Sequence, residues 1–111
     1  MSNIDWKEID RIDQLDEIQK LSSDKKVIIF KHSTRCPVSA MALSRLERTW
    51  DKSEMEDTEA YFLDLIRYRA ISNEIAGRFG VTHQSPQIIM VKNGEAVYNE
   101  SHMAISYDEL K

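Results

Sequence analysis

Val27-Ile28-Ile29-Phe30-Lys31-His32-Ser33-Thr34-Arg35-Cys36-Pro37-Val38-Ser39 is the stretch that decides the fold. Its first four residues are apolar and mostly β-branched, as a central strand buried on both faces requires. That strand is placed at Lys26 to Phe30. Pro37 suits the first position of a helix, where no backbone N–H is needed and φ is already helical. Cys36 then stands at the N-cap, its sulfur expected beside unpaired N–H groups and the positive end of the helix dipole. Arg35 adds a positive neighbour. Ser39, at the third helical position, is placed to offer the sulfur a hydroxyl hydrogen bond. Such a setting favours the thiolate, the reactive form of cysteine. Cys36 is also the only cysteine in the chain. A lone cysteine is commonly a small buried hydrophobe, but the strand–Cys–Pro–helix setting with basic neighbours marks this one as reactive.

On the N-terminal side, Trp6 to Ile9 reads as a short edge strand. Ile12, Leu15, Ile18 and Leu21 recur every three residues among polar ones, an amphipathic helix, and Ser22 to Lys25 is a loop. Beyond the cysteine, Val38 to Trp50 has helical periodicity with Leu43, Leu46 and Trp50 on one face. The acidic Asp51 to Glu59 follows as a solvated loop. Ala60 to Leu65 is a second strand, and Ile71, Ile75 and Phe79 mark a helix closed by Gly80. Gln87 to Val91 is a third apolar strand, joined through Asn93-Gly94, a two-residue hairpin signal, to Glu95–Tyr98. Ser106 with Glu109 resembles a capping box and predicts a short last helix. The order β-α-β-α-β-α-β-β-α defines an α/β sheet covered on both faces, a parallel portion followed by an antiparallel hairpin. A single domain over residues 1–111 is expected. In open α/β sheets, sites lie beyond the carboxyl ends of the strands, and Cys36 falls there.

The 111 residues carry a net charge of −4, which argues against general nucleic-acid binding. No apolar run approaches a membrane span, and the start Met1-Ser2-Asn3-Ile4-Asp5-Trp6 is too polar for a signal peptide. With one cysteine nothing requires an oxidising compartment, so a cytoplasmic location and no membrane partner are expected. Lys25 to Leu46 contains no acid and carries +5, Ile75 to Gly94 contains none and carries +2, and the remainder carries −11. The cysteine lies in the more basic window, which points to an anionic substrate. Three scattered histidines and one cysteine lack metal-ligand spacing. Met41, Met55, Met90 and Met103 read as core or rim fillers.

Thr82-His83-Gln84-Ser85-Pro86-Gln87 supplies the second half of a site. Proline cannot donate to a sheet ladder and belongs at a strand's first residue or in a special turn. A cysteine opening the second helix and a proline opening the strand before an Asn-Gly hairpin resemble the thioredoxin fold. That resemblance implies a cis Ser85–Pro86 bond packed against the cysteine, with the Ser85 backbone available to substrate. Within the superfamily, Lys-His-Ser-Thr-Arg-Cys-Pro-Val-Ser (31–39), Ser-Pro-Gln (85–87) and the lone cysteine resemble the monothiol bacilliredoxins of the YtxJ type over nearly the whole chain.

The resemblance implies a thiol–disulfide oxidoreductase that removes bacillithiol from protein mixed disulfides through a Cys36–bacillithiol intermediate. It implies no bound cofactor, with bacillithiol as co-substrate. The partners would be bacillithiolated client proteins, a low-molecular-weight thiol and a bacilliredoxin reductase. Bacillithiol carries malate carboxylates, which suit basic surroundings. Cys36 would be the nucleophile, with Arg35, Pro37 and Ser39 stabilising its thiolate. Lys31, His32, Thr34, His83, Ser85 and Pro86 would meet the ligand. For His32, a proton relay or anion contact stands against a locally hydrogen-bonded strand end, and His83, which precedes the proline loop, is a candidate ligand contact. His102 reads as solvated.

Two departures from thioredoxins matter. Ser39 occupies the place of the second cysteine, so Cys36 has no resolving thiol. Phe30 stands in the region of the usual buried acid. Rival readings are a monothiol glutaredoxin-like iron–sulfur carrier, a thiol peroxidase and a non-catalytic thioredoxin-like binding module. The first normally has Gly-Phe where this chain has Pro37-Val38, and the second normally has Thr where this chain has Ser33.

Overall fold

The computed structural model describes residues 3–111, so Met1 and Ser2 of the polar start lie outside the described residues. Its elements run β1 (Lys7–Glu8), α1 (Gln14–Leu21), β2 (Lys26–His32), α2 (Pro37–Thr49), β3 (Thr58–Asp64), α3 (Arg69–Phe79), β4 (Gln87–Lys92) and β5 (Glu95–Ser101). The five strands form one mixed sheet in the order β1-β3-β2-β4-β5. β3 is parallel to β1 and β2, whereas β4 is antiparallel to both β2 and β5. This is a thioredoxin-like α/β sheet with the apolar run of β2 at its centre.

β2 continues two residues beyond the expected Phe30, because Lys31 and His32 still pair with Leu63 and Asp64 of β3. Strand alternation then sorts the side chains. Ile28 and Phe30 join Ala42, Leu46 and Trp50 in a core beneath α2, while Val27 and Ile29 join Leu15, Ile18, Ile71 and Ile75 beneath α1 and α3. Lys31 follows the second set and His32 the first. Ile12 falls in the turn before α1 and is exposed. Met55 is buried within the acidic loop, which anchors an otherwise solvated segment.

Asn93 (φ 52°) and Gly94 (φ 77°) both take the left-handed region, as a two-residue hairpin turn requires. Ser22, capping α1, accepts the Asn93 N–H on its carbonyl and the Gly94 N–H on its hydroxyl, each at 2.8 Å. The hairpin is thus pinned to the end of the first helix. Gly80 closes α3 with φ 65°.

The expected last helix does not form as an α-helix. Its place is taken by 3-10 turns at His102–Ala104 and Tyr107–Glu109, and Ser106 makes no side-chain cap hydrogen bond. Too few residues follow Ser106 to build an α-helical ladder, and burial of Tyr107 and Leu110 fixes the segment instead. No helix among the described residues is long and apolar enough to cross a membrane.

Candidate active site

Cys36 is the N-cap of α2, in extended backbone (φ −107°, ψ 115°), with Pro37 opening the helix. Its N–H donates to Ser33 O at 3.2 Å and its carbonyl accepts from Ala40 N at 3.1 Å. Cys36 is partly exposed and holds the expected N-cap position, but its sulfur makes no side-chain cap hydrogen bond. A thiol is a weak hydrogen-bond partner, so the cap position does not hold it.

Ser39 departs from its expected role. It is fully buried, accepts the Ser33 N–H on its hydroxyl at 3.1 Å, and lies 2.7 Å from His32 Nδ1. Among the described residues no hydrogen bond joins it to Cys36. The residue that replaces a resolving thiol therefore ties the start of α2 to the end of β2. Burial holds His32 below the ordinary histidine range despite the upward pull of Asp64 and Glu47. An unprotonated Nδ1 accepts from the Ser39 hydroxyl. The His32 ring packs 5.5 Å from that of Phe62, and Phe30 stacks on Phe62 at 6.3 Å, with Trp6 closing the cluster. Where thioredoxins keep a buried acid, this chain has packed aromatic rings.

The expectation that Lys31 meets an anionic ligand is corrected by its place in the strand. It is fully buried on the α1/α3 face, with Nζ 3.2 Å from Ser72 O and 3.3 Å from His83 Nδ1. Burial lowers its pKa to about 8. With Lys31 donating, His83 Nδ1 accepts and the imidazole proton sits on Nε2. Burial first, then Lys31 and Arg69, hold His83 below its ordinary value.

Most of the basic window is likewise consumed by structure. Lys25 pairs with Glu59 at 3.2 Å, Lys26 donates to Leu110 O, and Arg45 donates through Nη2 to Met103 O and Ile105 O at 2.6 Å each. Lys25 and Lys26 belong to the end of the sheet opposite Cys36. Arg35, exposed beside Thr34 in the turn before Cys36, has neither an ion pair nor a side-chain hydrogen bond among the described residues.

The proline loop has a defined geometry. The Ser85–Pro86 bond is cis, and Pro86 is buried. The Ser85 hydroxyl is a buried oxygen with no hydrogen-bond partner among the described residues. A third segment, missed by sequence reasoning, completes this loop. His102 sits at φ 56° and donates its N–H to Pro86 O at 3.0 Å. A left-handed histidine leaves no pattern in composition or periodicity, although histidine tolerates that region better than most residues. Among the described residues no group of three His, Cys, Asp or Glu side chains is arranged to hold a metal ion.

A cysteine at a helix N-terminus beyond a central strand, with a cis-proline loop opening the antiparallel strand, defines the thioredoxin-fold thiol oxidoreductases. Comparison with solved structures agrees. A protein described as a candidate oxidoreductase with a thioredoxin fold shares 32% identity at TM-score 0.79, over 95% of this chain and 89% of that one. The Malassezia sympodialis thioredoxin shares 20% at TM-score 0.69, over 99% of this chain and 86% of that one. Spinach chloroplast thioredoxin f also shares 20% at TM-score 0.69, over 95% and 86%. The family model of the monothiol bacilliredoxin BrxC matches residues 7–110. The chain belongs to that family and is a thiol–disulfide oxidoreductase.

Proposed function

We propose that this protein removes bacillithiol from client proteins by monothiol exchange at Cys36. The Cys36 thiolate attacks the bacillithiol sulfur of a client mixed disulfide. The client–bacillithiol S–S bond breaks as the Cys36–bacillithiol bond forms, and the client sulfur leaves as a thiolate that takes up a proton. No net oxidation or reduction occurs in this step. A second low-molecular-weight thiol, or a dedicated reductase, then attacks the bacillithiol sulfur and returns Cys36 to the thiolate. Bacillithiol is thus a co-substrate, and a reducing cytoplasm is the fitting compartment. The observation that carries this reading is the single cysteine at the α2 N-cap, with the buried Ser39 hydroxyl where a resolving thiol would stand. Arg35 is the cation available to the malate carboxylates, and the Ser85 backbone is available to the ligand chain.

Intact mass tests it. Incubation with bacillithiol disulfide is expected to give a stable one-bacillithiol adduct at Cys36, with little adduct from glutathione disulfide. Cys36→Ser is expected to take up neither and to leave a bacillithiolated reporter client modified. Clearance of that client by Cys36→Ser would overturn the proposal.

A further inference from the structure

Met41 and Met103 were expected to fill core or rim, yet they are 58% and 45% exposed. They line one groove of about 450 Å³ between the outer face of α2 and the first 3-10 turn, together with Ala40, Ser44, Arg45 and Arg48. Both walls lead to the catalytic end. Met41 stands on the helix that Cys36 caps, and Met103 follows His102, whose N–H is bound to Pro86 O. The groove is basic. Among the described residues neither Arg45 nor Arg48 has a carboxylate partner, and the only acid on α2, Glu47, accepts from Trp6 Nε1 at 2.9 Å. Of the acids flanking the turn in sequence, Glu100 accepts the Ser101 N–H at 2.9 Å and Asp108 pairs with Lys111.

We propose that this groove docks the client polypeptide flanking its modified cysteine, and that it selects segments combining an apolar side chain with acidic residues. The proposal rests on Cys36 exchanging with protein mixed disulfides. Along α2, Met41 lies about 7.5 Å and Arg48 about 18 Å from Cys36. An extended client segment advances about 3.3 Å per residue. An apolar residue two or three positions from the client cysteine therefore reaches the methionines, and acids five or six positions away reach Arg48. Methionine suits such a surface because its unbranched, polarisable side chain adapts to differently shaped partners. The arginines add steering and discrimination by charge.

The test uses short peptides whose single cysteine is capped with thionitrobenzoate, the better leaving group, so that Cys36 attacks the peptide sulfur, forms a Cys36–peptide disulfide and releases a coloured thiolate whether or not bacillithiol is the physiological ligand. The full-length protein is expected to react about tenfold faster with an apolar–acidic peptide than with the same peptide bearing lysines, a preference that shrinks with added salt. Met41→Gln and Arg48→Glu are each expected to reduce the preference to about threefold or less, while reacting with the uncharged dipyridyl disulfide at the wild-type rate. Equal rates for the two peptides would overturn the proposal, as would a preference that survives both substitutions. So would a concentration-dependent dimer abolished by Met41→Gln, which would assign the groove to a second copy of this chain. Bacillithiol transfer, measured separately, reports on the underlying reaction. Its failure with the peptide preference intact would overturn the ligand and leave the docking surface standing.

Discussion

Burying an ammonium costs free energy because it gives up its water, and Lys31 has no carboxylate to offset that cost. Its partners are a carbonyl, Ser72 O, and the neutral ring of His83. The pKa falls from 10.5 to about 8, so the charged form is penalised in the folded state. The sign follows by linkage. Below pH 8 both states are protonated and the penalty is complete. Between pH 8 and 10.5 the unfolded chain holds the proton and the folded one does not, so stability rises with pH. Above 10.5 the penalty is gone. The full shift corresponds to about 3 kcal/mol. Lys31→Met keeps the apolar stem and loses about 1 kcal/mol of hydrogen bonding. Urea unfolding at pH 7 should find the variant more stable by about 1–2 kcal/mol, with the difference vanishing near pH 10. A difference independent of pH would mean that Lys31 titrates alike in the folded and unfolded chain, so that burial places no penalty on its charged form.

At the scale of elements, α2 and the C-terminal turns share an apolar core, and the hydrogen-bonded link between them among the described residues is a single guanidinium. Arg45 Nη2 bonds two carbonyls on either side of Ala104, from a helix more than fifty residues earlier in the chain. Arg45→Ala should cost about 1–3 kcal/mol, since charge-assisted hydrogen bonds exceed neutral ones. It should also accelerate amide exchange at residues 102–105. Arg48→Ala, whose side chain bonds only Ser44 O of its own helix at 3.4 Å, should change stability by less than about 0.5 kcal/mol. Arg45 also shows where legibility in the sequence stopped. The strands, the three helices, the Asn93-Gly94 turn and the Gly80 cap all followed from local patterns, and so did the placement of Cys36 and Pro86. The last helix did not, because a capping box is a local signal that five trailing residues cannot sustain. The reading of Lys31 failed for a related reason. Ending β2 at Phe30 left its side chain without an assigned face, and two more residues of pairing with β3 sent it into the core. Charge counted along the chain likewise could not show that Lys25, Lys26 and Arg45 were committed elsewhere. That allocation is made by tertiary contacts.

For the whole molecule, the sheet divides the interior into two apolar layers, so its cooperativity depends on strands shared between them. Ile28 and Phe30 face one layer and Val27 and Ile29 the other, on consecutive residues of one strand. Leu46→Ala beneath α2 and Ile75→Ala beneath α3 should each cost about 2–5 kcal/mol. With the sheet between them, their effects should add to within about 0.5 kcal/mol. Domains of this size have about 5–15 kcal/mol in total, so the double variant should stand near the limit of folding. Both tryptophans report on one layer only, since Trp50 is buried beneath α2 and Trp6 packs against the same cluster. Ile75 lies on the opposite face. If the chain unfolds as one unit, Ile75→Ala lowers the urea midpoint equally by tryptophan fluorescence and by far-ultraviolet circular dichroism. If the α1/α3 layer opens by itself, the dichroism midpoint moves and the fluorescence midpoint stays. The first outcome is expected, because displacing Val27 and Ile29 from their layer must also displace Ile28 and Phe30 from the other. A fluorescence midpoint unmoved by Ile75→Ala would overturn the single-domain reading.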